Sequence, residues 1–238
     1  MNYFLVMPAA GSGRRFQGDV PKQYAPLMGR TVIEWALAPF LGDERCAHAV
    51  VVIAEADSIW PRVAARLAPE RVSATPGGVE RSDSVRRGLG KLAGRAAALD
   101  WVLVHDAARP CLEPADLARL ISRVTDADRG GLLAAPAADT LKQAREASER
   151  AESPAVARTI DRSGLWRALT PQMFRYGELC AALQEAYAAH RNPSDEAQAL
   201  EWRGEHPLLV EGAPTNLKVT TSGDLKLAEA VLRSRRLS

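Results

Sequence analysis

The sequence predicts an α/β domain: a mainly parallel β-sheet with helices on both faces and a β-arm projecting from it. Three observations carry this. Short β-branched runs alternate with stretches of helical periodicity. The chain has 238 residues, 47% of them hydrophobic, enough to bury a sizeable core. One polar segment, 137–160, fits neither pattern.

In chain order, Tyr3 to Met7, Ala49 to Ala54, Trp101 to His105 and Leu132 to Ala135 each read as a buried strand. Between them, Thr31 to Phe40, Ser58 to Leu67, Ser82 to Leu92 and Pro114 to Val124 place apolar residues at helical spacing, several opened by Ser, Thr or Pro. Alternation of this kind builds a parallel sheet covered on both faces. Segment 137–160 is expected to form two short strands joined by a mobile tip. Helices follow around Tyr176 to His190 and Ser194 to Trp202, then a strand at Pro207 to Glu211 and a last helix from Ser222 to about Arg235. No repeat or low-complexity linker divides the chain, so a single domain, 1–238, is expected. Trp35, Trp60, Trp101, Trp166 and Trp202 stand among apolar residues and are expected in the core, as is Met7.

Lys and Arg number 31 against 29 Asp and Glu, a net charge of +2, which argues against a general nucleic-acid surface. Cys46, Cys111 and Cys180 form no CxxC pair and suggest neither a disulfide framework nor a zinc site. No stretch approaches the roughly 20 apolar residues of a membrane span, and the N-terminus has no basic region ahead of its apolar run. A reducing cytoplasm is the expected setting.

In open α/β sheets ligands bind beyond the carboxyl ends of the strands, which singles out two loops. After the first strand come Pro8-Ala9-Ala10-Gly11-Ser12-Gly13-Arg14-Arg15 and, further on, Lys22. A dinucleotide fingerprint wants glycine where Phe16 stands, and a P-loop wants Gly-Lys-Ser/Thr, so neither standard loop fits. Small residues still let backbone N–H groups approach an anion, with Arg14, Arg15 and Lys22 beside them: a phosphate cradle, or else a tight turn flanked by solvated basic residues. The second loop is His105-Asp106-Ala107-Ala108-Arg109-Pro110. Asp106 can ligate a hard cation or close an Asx turn, and Arg109 can meet an anion or pair with Asp106. Gly77-Gly78 with Arg81, Ser82 and Ser84 reads as a turn into a capped helix whose bare backbone can touch a flat base. His105 reads as a strand-end residue packed beneath the site.

The segments PAAGSGRRF, PKQY, GGVERSDSV, VHDAARP, DTLK, DRSGLW, LTPQ, SDEA and NLKVT run in that order from residue 8 to 220. Together they resemble the 2-C-methyl-D-erythritol 4-phosphate cytidylyltransferase family of non-mevalonate isoprenoid synthesis. The resemblance implies a Rossmann-like (GT-A-like) nucleotidyltransferase fold, a homodimer with exchanged β-arms, CTP as co-substrate and Mg2+ as cofactor. It implies that Ala9, Ala10, Gly11, Gly13, Arg15 and Lys22 bind the triphosphate, with Arg15, Lys22 and Lys218 catalytic. Gly77, Gly78, Arg81 and Ser84 would hold the cytosine and ribose, Ala107 the nucleotide, and Asp106 the Mg2+. Arg109 would take the sugar phosphate, while Thr140, Arg162 and Thr170 would contact methylerythritol phosphate, at least partly from the partner's arm. Ser194 stands where the pattern has threonine, and it keeps the hydroxyl.

The implied reaction joins two anions. A phosphate monoester and a triphosphate bring about −6, against about +7 from Mg2+, Arg15, Lys22, Arg109, Arg162 and Lys218. A phosphate nucleophile is already ionised at neutral pH and needs no general base. The alternatives are a related enzyme with another polyol phosphate acceptor, such as ribitol 5-phosphate, and a nucleotide-binding regulatory protein without chemistry.

Overall fold

The computed structural model describes residues 1–11, 16, 20–145 and 153–237. The chain opens with β1 (Tyr3–Pro8), and a small hairpin of β2 (Pro26–Leu27) and β3 (Arg30–Thr31) precedes α1 (Val32–Leu41). There follow β4 (Cys46–Ile53), α2 (Trp60–Ala64), β5 (Val72–Pro76), α3 (Arg81–Lys91), β6 (Trp101–Val104), α4 (Pro114–Ala127) and β7 (Gly131–Pro136). The arm is β8 (Leu141–Ala144) with β9 (Val156–Ile160). The chain re-enters the sheet as β10 (Trp166–Arg175) and continues through α5 (Tyr176–Ala188), α6 (Glu196–Glu201), β11 (Leu208–Glu211) and α7 (Ser222–Leu237).

Seven strands form one sheet in the order β11-β7-β10-β6-β1-β4-β5. Every pairing in it is parallel except those of β10, which runs antiparallel to both β6 and β7. Alternation along β1 shows how the sequence builds two cores. Tyr3, Leu5 and Met7 pack with Ile33, Leu37 and Phe40 of α1 and with Leu117, Leu120 and Val124 of α4. Phe4 and Val6 turn the other way, toward Val85 and Leu89 of α3 and Leu179 and Leu183 of α5. This is the period of two expected of a strand buried on both faces. A third cluster joins the hairpin and the start of α1 to α7 through Leu27, Val32, Ala228 and Leu232.

Two strands of the seven-stranded sheet escape the sequence pattern. In β5 the run Val-Ser-Ala-Thr-Pro is short and half polar, an edge strand that needs no continuous apolar stretch. In β10, Pro171 lies mid-strand, where a residue without an N–H weakens any reading as a central strand. The structure accommodates it with an irregularity: Ala168 pairs with Ala134 and Gln172 with Leu132, so Leu169, Thr170 and Pro171 stand opposite Leu133 alone. The helix expected over 58–67 is only five residues long.

Trp60 and Trp101 are buried, whereas Trp35 and Trp202 are half-buried, Trp35 Nε1 donating to Leu27 O at 2.7 Å. Trp166 corrects the expectation outright: it begins β10 beside the arm, opposite Pro136 at the end of β7, and remains 36% exposed. The arm strands pair antiparallel, Leu141 opposite Ile160, with almost every side chain exposed. Its expected tip, 146–152, lies outside the described residues. All three cysteines are free thiols, and among the described residues no helix is long and apolar enough to cross a membrane.

Candidate active site

A cleft opens where β1 and β6 end and α3 begins, lined by Ala9, Ala10, Gly11, Lys22, Gly78, Arg81, Ser84, Asp106, Ala107 and Lys218 among others. Its first wall is the chain leaving β1. Ala9 N–H donates to Val52 O at 2.7 Å, extending the β1–β4 pairing by one bond. Buried Gln23 then fixes the turn, its Nε2 donating to Ala9 O at 2.7 Å and Gly11 O at 3.4 Å. Since Gln23 follows Lys22 in a single helical turn, Lys22–Tyr24, the same contact sets the lysine against the cradle. Gly13 and Arg15 lie outside the described residues.

The facing wall is the turn into α3. A Cβ at Gly77 would stand 2.5 Å from Ala10 Cβ and 2.8 Å from Ser84 Oγ, and one at Gly78 only 2.3 Å from Asp83 Cβ. Both glycines are therefore required by close packing, which brings bare backbone to the rim of the cleft. Ser84 Oγ accepts from Gly78 N–H at 3.1 Å and donates to Glu80 O at 3.2 Å, so its hydroxyl ties the turn together.

Asp106 lies on the cleft floor just past β6 and is 7% exposed. Arg81 Nε donates to its Oδ1 at 3.1 Å, Lys218 Nζ is 2.8 Å from Oδ2, and Arg109 Nε lies 3.7 Å from Oδ2. Burial alone would raise this carboxyl, but Arg81, Lys218 and Arg109 together outweigh it and hold Asp106 far below the ordinary carboxylate range. Arg81 is shared, because its terminal nitrogens also donate to both oxygens of Glu196, at 2.6 and 3.1 Å.

A buried network supports the floor from beneath. The Thr170 hydroxyl oxygen accepts from Asp106 N–H at 3.1 Å and lies 2.9 Å from Nδ1 of His105. Arg109 O, 3.2 Å from Nε2, can only accept, so a neutral imidazole carries its proton on Nε2 and its Nδ1 accepts from the Thr170 hydroxyl. Complete burial pushes the His105 pKa down to about 4, in keeping with this neutral tautomer. Asn216, also fully buried, donates to Thr170 O at 2.7 Å and accepts from Arg109 Nη1 at 2.8 Å through its backbone oxygen. Val219 N–H donates to Ala108 O at 2.8 Å. The segment carrying Lys218 is thus clamped to the loop carrying Asp106.

Not every expected residue reaches the cleft. Thr140 and Arg162 are exposed at the two ends of the arm, and Ser194 is exposed ahead of α6, its N–H donating to Gln198 Oε1 at 2.8 Å. Arg109 is largely enclosed, bonded to Asn216 O and ion-paired at longer range with Asp106, and does not line the cleft. Thr170, grouped by resemblance with the arm contacts, belongs to this chain's own sheet, where Asp106 and His105 engage its hydroxyl. Gln23, Glu196 and Asn216 carried no signal as single residues. Each stands inside a quoted segment, yet a buried polar anchor becomes visible only once its distant partner is placed.

The family model for 2-C-methyl-D-erythritol 4-phosphate cytidylyltransferase matches residues 3–234. A relative of that name from Halorhodospira halophila (strain DSM 244 / SL1) is 48% identical over 237 residues, covering 98% of this chain and 95% of its own. One from Pseudomonas aeruginosa (strain UCBPP-PA14) is 50% identical over 224 residues, covering 94% and 93%. A crystal structure of 4-diphosphocytidyl-2C-methyl-D-erythritol synthase superposes with a TM-score of 0.82 at 38% identity, covering 97% of this chain and 98% of that one. The Francisella tularensis cytidylyltransferase gives a TM-score of 0.82 at 31% identity, covering 97% and 100%. With sequence, sheet and relatives in agreement over nearly its full length, the chain belongs to the 2-C-methyl-D-erythritol 4-phosphate cytidylyltransferase family.

Proposed function

We propose that this cleft transfers the cytidylyl group of CTP to 2-C-methyl-D-erythritol 4-phosphate, giving 4-diphosphocytidyl-2-C-methyl-D-erythritol and pyrophosphate. The observation that carries the reading is the meeting, in one cleft, of the Ala9–Gly11 backbone, Lys22, Lys218 and the ion-paired Asp106. A phosphate oxygen of the acceptor attacks the α-phosphorus. A new P–O bond forms, the bond to the β-phosphate oxygen breaks, and its electron pair leaves on pyrophosphate. No proton has to be removed from an ionised phosphate, and neutral, buried His105 has both ring nitrogens committed to Thr170 and Arg109. The work left to the protein is positioning and charge compensation.

In this reading Lys22 and Lys218 stabilise the charge that builds on the transferring phosphoryl group, joined by Arg15. Ala9, Ala10, Gly11 and Gly13 hold the phosphates, Ala107 meets the nucleotide beside Asp106, and Gly77, Gly78, Arg81 and Ser84 hold the nucleoside side.

Asp106 offers the hard oxygen that Mg2+ takes from proteins when substrate phosphates and water complete its shell. Among the described residues no group of three or more His, Cys, Asp or Glu could hold a metal, so the donor set suits an ion that arrives with the triphosphate. Bound there, Mg2+ would neutralise phosphate charge and polarise the P–O bonds.

The acceptor half of the reading relies on a second copy of the chain. Arm segment 137–160, within a single domain 1–238, would reach a partner protomer and bring Thr140 and Arg162 to its cleft, while that protomer's own Arg109, Thr170 and Ser194, which do not line the cleft of the single chain, would complete the acceptor side. Exposed Leu141, Val156, Leu165 and Trp166 about the arm support this. The three free thiols agree with a reducing cytoplasm.

The test is pyrophosphate release from CTP with Mg2+ and each of two acceptors, methylerythritol phosphate and ribitol 5-phosphate. Release with the first supports the reading; release with ribitol phosphate alone reassigns the acceptor, and silence with both overturns it. Light scattering tests the arm, because a fully active monomer is incompatible with a site completed by a partner.

A further inference from the structure

Glu196 is a buried carboxylate that the transfer itself does not use. It is 1% exposed, sits on the first turn of α6 and does not line the cleft. That turn is docked on the sheet by bonds that do not involve Arg81. Gln172 of β10 accepts from Ala197 N–H at 2.9 Å and donates to Asp195 Oδ2 at 2.9 Å. The docking aims Glu196 at Arg81, which divides its guanidinium between two carboxylates: both oxygens of Glu196 on one side and Oδ1 of Asp106 on the other.

The division matters because Asp106 is already crowded by cations. Arg81 and Lys218 each occupy one of its oxygens, and Arg109 approaches the second. A metal-bound triphosphate that meets Asp106 competes with these protein cations for its two oxygens. A guanidinium released next to several phosphates would follow them or hold on to Asp106, unless another anion keeps it in place and compensates its charge. Glu196 has the geometry for this, two parallel hydrogen bonds from a docked helical turn.

We propose that Glu196 is a positioning residue for the transfer: by holding Arg81 from outside the cleft, it frees Asp106 to exchange a protein cation for the metal on the triphosphate. The inference rests on the reading of Asp106 as the carboxylate that meets Mg2+.

The test compares wild type, Glu196→Gln and Glu196→Asp, each checked for a wild-type melting transition. Two quantities are read: the affinity for CTP by calorimetry with and without Mg2+, and the Mg2+ concentration giving half-maximal pyrophosphate release. Losing a charged, buried hydrogen-bond partner should cut the Mg2+-dependent gain in CTP affinity of Glu196→Gln by about tenfold and raise its half-saturating Mg2+ by a similar factor. Glu196→Asp, which keeps the charge, should fall between. Equal Mg2+-dependent gains in wild type and Glu196→Gln overturn the proposal, as does a uniform loss of CTP affinity with and without Mg2+, the mark of a merely structural role. If Glu196→Gln does not fold, Glu196→Asp decides: a partial shift supports the proposal, and no shift overturns it. A wild-type CTP affinity indifferent to Mg2+ removes the underlying reading of Asp106 as well, a failure distinct from that of Glu196 alone.

Discussion

Nζ of Lys218 lies 2.8 Å from Oδ2 of Asp106, although the two residues stand 112 positions apart in the sequence. The bond from Val219 N–H to Ala108 O, two residues past Asp106, makes the encounter a fixed feature of the backbone. Lys218→Ala therefore strips Asp106 of a cation while leaving the cradle intact. It should lower kcat by about 10²–10³, the range seen when one preorganised donor to a transition state is removed. Steady-state pyrophosphate release checks this, and an unchanged kcat would take Lys218 out of the chemistry.

Gly88 packs α3 onto the sheet. A Cβ there would stand 2.5 Å from Val6 Cγ1 and 2.8 Å from Val52 Cγ2, in the interior where side chains cannot retreat. Gly88→Ala should cost about 1–3 kcal/mol through overpacking, despite alanine's better helix propensity. Urea denaturation reads the difference; a neutral or stabilised variant would mean that α3 has room to shift.

The start of α1 gives a pH-dependent prediction. Glu34 accepts from the Thr31 N–H and hydroxyl at 2.7 and 2.6 Å and pairs with Arg66. Burial raises the Glu34 carboxyl, but Arg66 and Thr31 prevail and its pKa lies below the ordinary glutamate value. The contribution to stability is then complete above the unfolded-state value and fades as pH falls through the lowered folded one. Because Arg66 is more than half exposed, Glu34→Gln should cost only about 1 kcal/mol at pH 7, mostly from the cap. The gap between the denaturation curves of the two proteins should be full above the ordinary glutamate pKa and close as pH falls below it, and a gap that widens in acid would contradict the assignment.

Thiol chemistry tests the core. Burial pushes both Cys46 and Cys111 up to about 11, leaving little thiolate at pH 8. A maleimide should label neither at an appreciable rate in the folded protein and both in denaturant, as read by mass spectrometry. Rapid labelling of Cys46 under native conditions would show that β4 opens to solvent.

The sequence made legible whatever rests on periodicity or local composition. The four apolar runs became strands, and the two loops following Tyr3–Met7 and Trp101–His105 proved to share a cleft, since strand ends gather there whatever the side chains. It hid β10, because Pro171 interrupts the pattern and the structure answers with three residues opposite one. It hid the roles of Gln23, Glu196 and Asn216 for another reason. A buried amide or carboxylate looks like any surface one until its partner, here Ala9, Arg81 or Thr170, is brought beside it. Trp166 failed in the opposite sense: an aromatic suited to a core stands at the root of the arm.

The reversed direction of β10 sets how far the arm is from the reacting centre along the chain. A parallel strand would reach the cleft at its far end, after crossing the whole sheet. Running backwards, β10 reaches it within a few residues of Trp166, so that β9 at Ile160 and the hydroxyl of Thr170 under Asp106 are joined by one short length of backbone, braced against β7. The root of the arm and the hydroxyl that accepts from Asp106 N–H thus belong to one strand.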